Sequence, residues 1–103
     1  MREKPSESDW KTFRKRVPEW RERYLNRKNQ ELISILSDEN KAPTKRFWDA
    51  QRKMEEEAKI LTTCLDGHSR SKMAMFLVSM YNHKLIEDHD LDEFSDDLRE
   101  WIL

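Results

Sequence analysis

Asp66-Gly67-His68-Ser69-Arg70-Ser71-Lys72 runs directly into Met73-Ala74-Met75-Phe76-Leu77-Val78, and the chain can be read outward from this join. Gly67 is the only glycine among 103 residues. A chain with one glycine has almost no position that relies on positive φ, which suits helices and argues against a turn-rich β fold. Asp66-Gly67 predicts the end of one helix, with Gly67 as a left-handed cap. Ser69 or Ser71 then predicts the cap of the next. In that next segment Met73, Phe76, Leu77 and Met80 share one helical face and Ala74, Val78 and Tyr81 another. A helix that is apolar on most sides is a buried one, so residues 69–82 are expected to form a central helix.

Upstream, Phe47, Met54 and Leu61 recur every seven residues, and Ala58 and Leu65 join that stripe. This predicts a helix from a Thr44 cap to Leu65, with Glu55, Glu56 and Glu57 on its outer side. Before it, Trp20, Tyr24 and Leu25, then Leu32, Ile33, Ile35 and Leu36, mark a helix to about Ser37, with a solvated polar turn from Asn26 to Glu31. Pro18 is expected to open that helix and to end a shorter one carrying Trp10, Phe13 and Val17, capped by Ser8 or Asp9. Residues 1–7 read as a flexible tail. Downstream, Leu91, Phe94, Leu98 and Trp101 give a last helix, recapped at Ser95, and the apolar end Trp101-Ile102-Leu103 should dock. The expectation is an all-α single domain over residues 8–103. It is a bundle of four to five short helices, the fourth (about 69–82) central.

Composition supports folding on an unusual core. Leu, Ile, Val and Phe total 21, and four Trp, five Met and two Tyr make up the shortfall. Charged residues are 40% of the chain yet cancel to −1. The signs are segregated. Residues 1–30 carry ten Lys/Arg against five Asp/Glu, while residues 61–103 carry four against nine. Either the two ends attract each other across the fold, or the basic end awaits an anionic partner.

One cysteine cannot make an internal disulfide, and the polar start Met1-Arg2-Glu3-Lys4-Pro5 lacks a signal peptide's apolar region. The longest apolar run, Met73 to Val78, is far too short for a membrane span. A cytoplasmic location away from membranes is the expectation.

No chemistry-bearing motif can be completed. Cys64, Asp66 and His68 lie close in sequence, but Gly67 interrupts the helical spacing that a Cys–His pair would need. Cys64, His68, His83 and His89 show no paired metal-ligand spacing. Asp88-His89-Asp90-Leu91-Asp92 imitates the start of a calcium loop but has Glu93 and Arg99 where glycine and glutamate belong. The chain is therefore read as non-catalytic, with no cofactor and no metal. The leading expectation is a small interaction or regulatory module whose partner is another protein, a second copy included. Its candidate surface is the corner His68, Ser69, Arg70, Ser71 and Lys72, suited to an anion or a partner carboxylate. The second reading is a nucleic-acid binder using Arg14, Arg16, Arg23 and Arg27 among interleaved aromatics. It requires those arginines to be exposed and unpaired.

Overall fold

In the computed structural model, which describes residues 6–103, four α-helices make an all-α domain. They are α1 (Glu7–Leu36), α2 (Pro43–Leu65), α3 (Met73–Asn82) and α4 (Asp96–Ile102). Short 3₁₀ turns at Arg70–Lys72 and Asp88–Leu91 lead into α3 and towards α4. The expected tail covers residues 1–5, which lie outside the described residues, together with Ser6 and Glu7, which belong to the start of α1.

Two of the helices are long rather than short. Pro18 does not divide α1, which continues through it for 30 residues. An internal proline removes one helical hydrogen bond and costs about 3 kcal/mol. Phe13, Val17, Trp20 and Tyr24 repeat on one face across it, each 5% exposed or less. Burying four such side chains at about 1.5–3 kcal/mol each outweighs the break. Arg14 and Pro18 are both exposed, so the missing hydrogen bond falls on the solvent side of α1. The cap is Ser6 rather than Ser8 or Asp9, its hydroxyl accepting from Asp9 N at 3.0 Å.

The α1–α2 connection is short, and Arg46 from α2 donates to the last-turn carbonyl of Leu36 at 3.0 Å. That places a cation at a helix C-terminus with no basic residue of its own. Helix α2 starts one residue before Thr44, with Pro43 in its first turn and Ala42 at the cap. Thr44 thus does not cap it. Gly67 does adopt positive φ, +76°, after the last turn of α2. Neither Ser69 nor Ser71 caps α3 through its side chain; Arg70–Lys72 winds a 3₁₀ turn instead.

Helix α3 is the expected central one, third in order because α1 is continuous. Met73, Leu77 and Met80 are fully enclosed, while Met75 is 66% exposed. Its C-terminus is a full Schellman motif. Leu85 N donates to Met80 O at 2.8 Å and Lys84 N to Tyr81 O at 3.2 Å, with Lys84 left-handed at φ 63°. A lysine pays a steric penalty there that glycine avoids. Lys84→Gly is expected to raise stability by about 0.5–1 kcal/mol in urea unfolding; a loss of stability would contradict the motif.

The core lies at one end of the molecule. It joins Phe13, Val17, Trp20 and Tyr24 of α1, Cys64 of α2, the inner face of α3, and Leu85, Ile86, Leu91, Phe94 and Leu98. Ser95 caps α4 as expected, accepting from Leu98 N. The apolar end docks only in part: Ile102 packs on the core, whereas Trp101 and Leu103 are 46% and 57% exposed. The molecule measures 53 × 23 × 21 Å with a radius of gyration of 16.6 Å. A compact domain of this length would have about 13 Å. The excess is the far half of the α1–α2 hairpin, which projects from the base as an arm.

Candidate functional site: the hairpin arm

The sequence-derived corner is partly absorbed into the fold. The His68 ring lies between Phe13 and Phe76, at centroid distances of 4.9 and 4.5 Å, and its Nε2 is 2.7 Å from the Cys64 carbonyl oxygen. Arg70 pairs with Glu7 at 2.7 Å. The Ser69 and Ser71 hydroxyls are 3.4 Å apart, and Ser71 and Lys72 are exposed. His68 therefore faces the core side of the corner and helps to hold α1 against α3. Cys64 is fully buried, and that burial pushes its thiol up to about 11. The thiol is thus protonated at neutral pH, not a thiolate nucleophile.

The basic face of α1 is also engaged. Arg16 pairs with Glu93 and Glu19. Arg23 holds Asp90 at 2.7 Å and donates to the Leu85 carbonyl at 2.9 Å. Arg27 donates to the Lys84 carbonyl at 2.7 Å and lies over the Tyr24 ring, and Arg14 lies over Trp10. The charge segregation of the sequence thus becomes a clasp between the basic first helix and the acidic C-terminal segment. Hydrogen bonding to Arg16 holds the Glu93 carboxyl below its usual range. Burial of Asp90 works against its charge, but the Arg23 bonds outweigh it and hold it low as well.

A carboxyl depressed in the folded state contributes stability that is complete above its unfolded pKa, about 4, and lost as pH falls through the lower folded value. Amide protection of Phe94 and Leu98 is therefore expected to hold down to about pH 4 and to fall below it. Protection that stays flat to pH 2 would mean the clasp adds nothing.

The arm is the part the sequence did not reveal. From Leu25 to Glu56 only Ala50 is buried. The two helices meet there through an inner seam: Tyr24, Lys28, Glu31 and Ile35 on α1, and Arg46, Ala50, Lys53, Glu57, Ile60 and Cys64 on α2. Spacings of four and three residues keep each set on one face. The upper part of this seam is ionic. Glu57, 7% exposed, accepts from the Tyr24 hydroxyl and lies 3.7 and 3.8 Å from Lys28 and Lys53. Lys53 also pairs with Glu31 at 3.0 Å. Glu57 is thus an inward residue, not an outer one, and the Asn26–Glu31 turn is not simply solvated. Burial and the bond to Glu57 push the Tyr24 phenol above its usual range.

The expected apolar stripe of α2, Phe47, Met54, Ala58, Leu61 and Leu65, sits one residue further along, and Gln51 falls in line with it. Leu61 and Leu65 reach the core, but Phe47 and Met54 are 58% and 59% exposed. The structure thus corrects the reading of this stripe as the inward face of α2 at these two positions. On α1 the matching set, again one residue on, is Leu25, Asn29, Leu32 and Leu36. A one-residue step turns the same way along each chain by about 100°. Because the helices are antiparallel, both sets fall on the same side of the hairpin. In a chain that is 40% charged, these ten positions hold no charge. Trp48, 55% exposed and edge-on to Phe47 at 5.0 Å, and Ile33, 54% exposed, border the face.

No family model matches the chain, and no curated protein or solved structure matches it either. Fold and surface define a structural class: an all-α helical hairpin standing on a small helical base, with an uncharged apolar face on the arm. Among the described residues no helix is long and apolar enough to cross a membrane, and no three His, Cys, Asp or Glu side chains group as a metal site.

Proposed function

We propose that the chain is a non-catalytic protein-interaction module that binds through the apolar face of its hairpin arm. The observation that carries this reading is the exposure of Phe47, Trp48, Met54, Ile33 and Leu36 on an arm in which, from Leu25 to Glu56, only Ala50 is buried. An arm with so little burial draws little stability from its own packing, and cover by a partner supplies the rest. Aromatic and Met side chains with charge depleted from the centre are the composition of an interface core. The engagement of Arg16, Arg23 and Arg27 by the C-terminal segment tells against nucleic acid as the partner.

The test is photo-crosslinking in cells, with a reactive side chain placed at position 48 in one variant and at position 72 in another. Protein adducts from position 48 are expected. Adducts from position 72 alone would move the interaction to the Gly67–Lys72 corner, and adducts to nucleic acid would overturn the reading.

A further inference from the structure

We infer that the occupant of the arm's apolar face is a second copy of this chain, two hairpins closing into a four-helix bundle. The inference rests on the interaction reading above and names its partner. Three observations carry it.

The first is the pattern. Each arm helix carries two seams, one residue apart, both with the four-and-three spacing of helices that pack at a shallow angle. The inner seams pack the hairpin on itself. The outer seams, Leu25, Asn29, Leu32 and Leu36 with Phe47, Gln51, Met54 and Ala58, lie side by side and complete the pattern that a further pair of helices would meet. A second hairpin supplies two such helices in antiparallel arrangement, as a two-fold contact requires.

The second is area. Phe47, Trp48, Met54, Ile33 and Leu36 each leave at least half of a large side chain in water. Together this is roughly 500 Å² of apolar surface, at about 150–250 Å² for a whole aromatic side chain. A standard interface takes about 800 Å² from each partner, and in homodimers about 65% of it is apolar. That fraction is about 500 Å², the amount the face offers together with the bordering Trp48 and Ile33.

The third is charge. The outer seams carry none, so two copies meet without repulsion at the centre. A strongly acidic or basic partner would find no counter-charge there. Within the seam the polar positions are the uncharged Asn29 and Gln51, and Gln51 donates outward to Glu55 at the edge.

The experiment is sedimentation velocity of the full chain over a wide concentration range, alongside Met54→Glu, Phe47→Glu and, outside both seams on α2, Lys59→Glu. Circular dichroism confirms that each variant is folded. The wild type and Lys59→Glu are expected to rise from the mass of one chain towards twice that mass. Met54→Glu and Phe47→Glu are expected to stay at one chain throughout. A wild type that remains a single chain, or a dimer indifferent to Met54→Glu, would overturn the inference. Binding of a hydrophobic fluorescent dye separates the two levels of the argument. A monomer whose dye binding is lost in Met54→Glu keeps the interaction reading and loses only the second copy. A monomer with no such binding loses both.

Discussion

Phe13→Ala is expected to destabilise the protein by about 3–5 kcal/mol. Phe13 is 1% exposed and stands at the centre of the aromatic cluster of the base. It stacks on Trp10 at 5.6 Å, meets Trp20 edge-on at 6.4 Å and meets His68 at 4.9 Å. Removing the ring loses its burial and leaves a cavity that three rings cannot close without leaving their own packing. A domain of this length has about 5–15 kcal/mol of stability in all, so the variant should retain at most a thin margin. Urea unfolding should show a much lower midpoint with an unchanged slope. A cost below about 1 kcal/mol would mean that the rings are not the core of the base.

Asp9→Ala has the next largest expected effect. Asp9 is 4% exposed, and its two carboxylate oxygens accept from Ser95 N at 2.8 Å and Ser95 Oγ at 2.6 Å. Bonds to a charged group are worth about 1.5–3 kcal/mol, and truncation strands the Ser95 amide without a partner. The carboxylate also sits against the N-terminus of α4, where negative charge is favoured. A loss of about 2–3 kcal/mol is expected from denaturant melts. Asp9→Asn, which keeps one acceptor, should recover part of it, and the Leu98 amide should exchange faster in both. Equal stability of Asp9→Ala and wild type would remove this contact from the account of how the chain ends are joined.

Much of the base was legible in the sequence. Gly67 signalled a left-handed helix end because no other residue type takes that conformation so readily. The density of apolar residues from Met73 to Met80 signalled a buried helix, and the opposite charges of the two ends signalled their pairing. Pro18 misled because a local rule about one lost hydrogen bond was outweighed by side chains on either side of it, whose burial depends on distant segments. Phe47 and Met54 misled for a different reason. Hydropathy selects the more apolar of two adjacent seams. Packing selected the seam with Ala50 and Cys64, small enough for close helix approach, and with Lys28, Glu31, Lys53 and Glu57 able to pair across it. The candidate surface was hidden for the same reason: residues that look like core are the ones left outside. His68 was visible as a polar group in a corner but not as a ring between two phenylalanines, since Phe13 is 55 positions away.

The clasp between the ends also sets an order of assembly. The helices of the hairpin are joined by six residues, 37–42, whereas Asp9 and Ser95 are 86 positions apart. Bringing together groups so distant costs about 2 kcal/mol more in chain entropy than closing the hairpin connection. The hairpin should therefore form early and the C-terminal segment settle late, onto a surface already built. Until it does, Trp20 and the far side of α3 lie open to water. A nascent chain would hold this apolar ground uncovered until residues 85–98 emerge, the interval in which it is most exposed to aggregation.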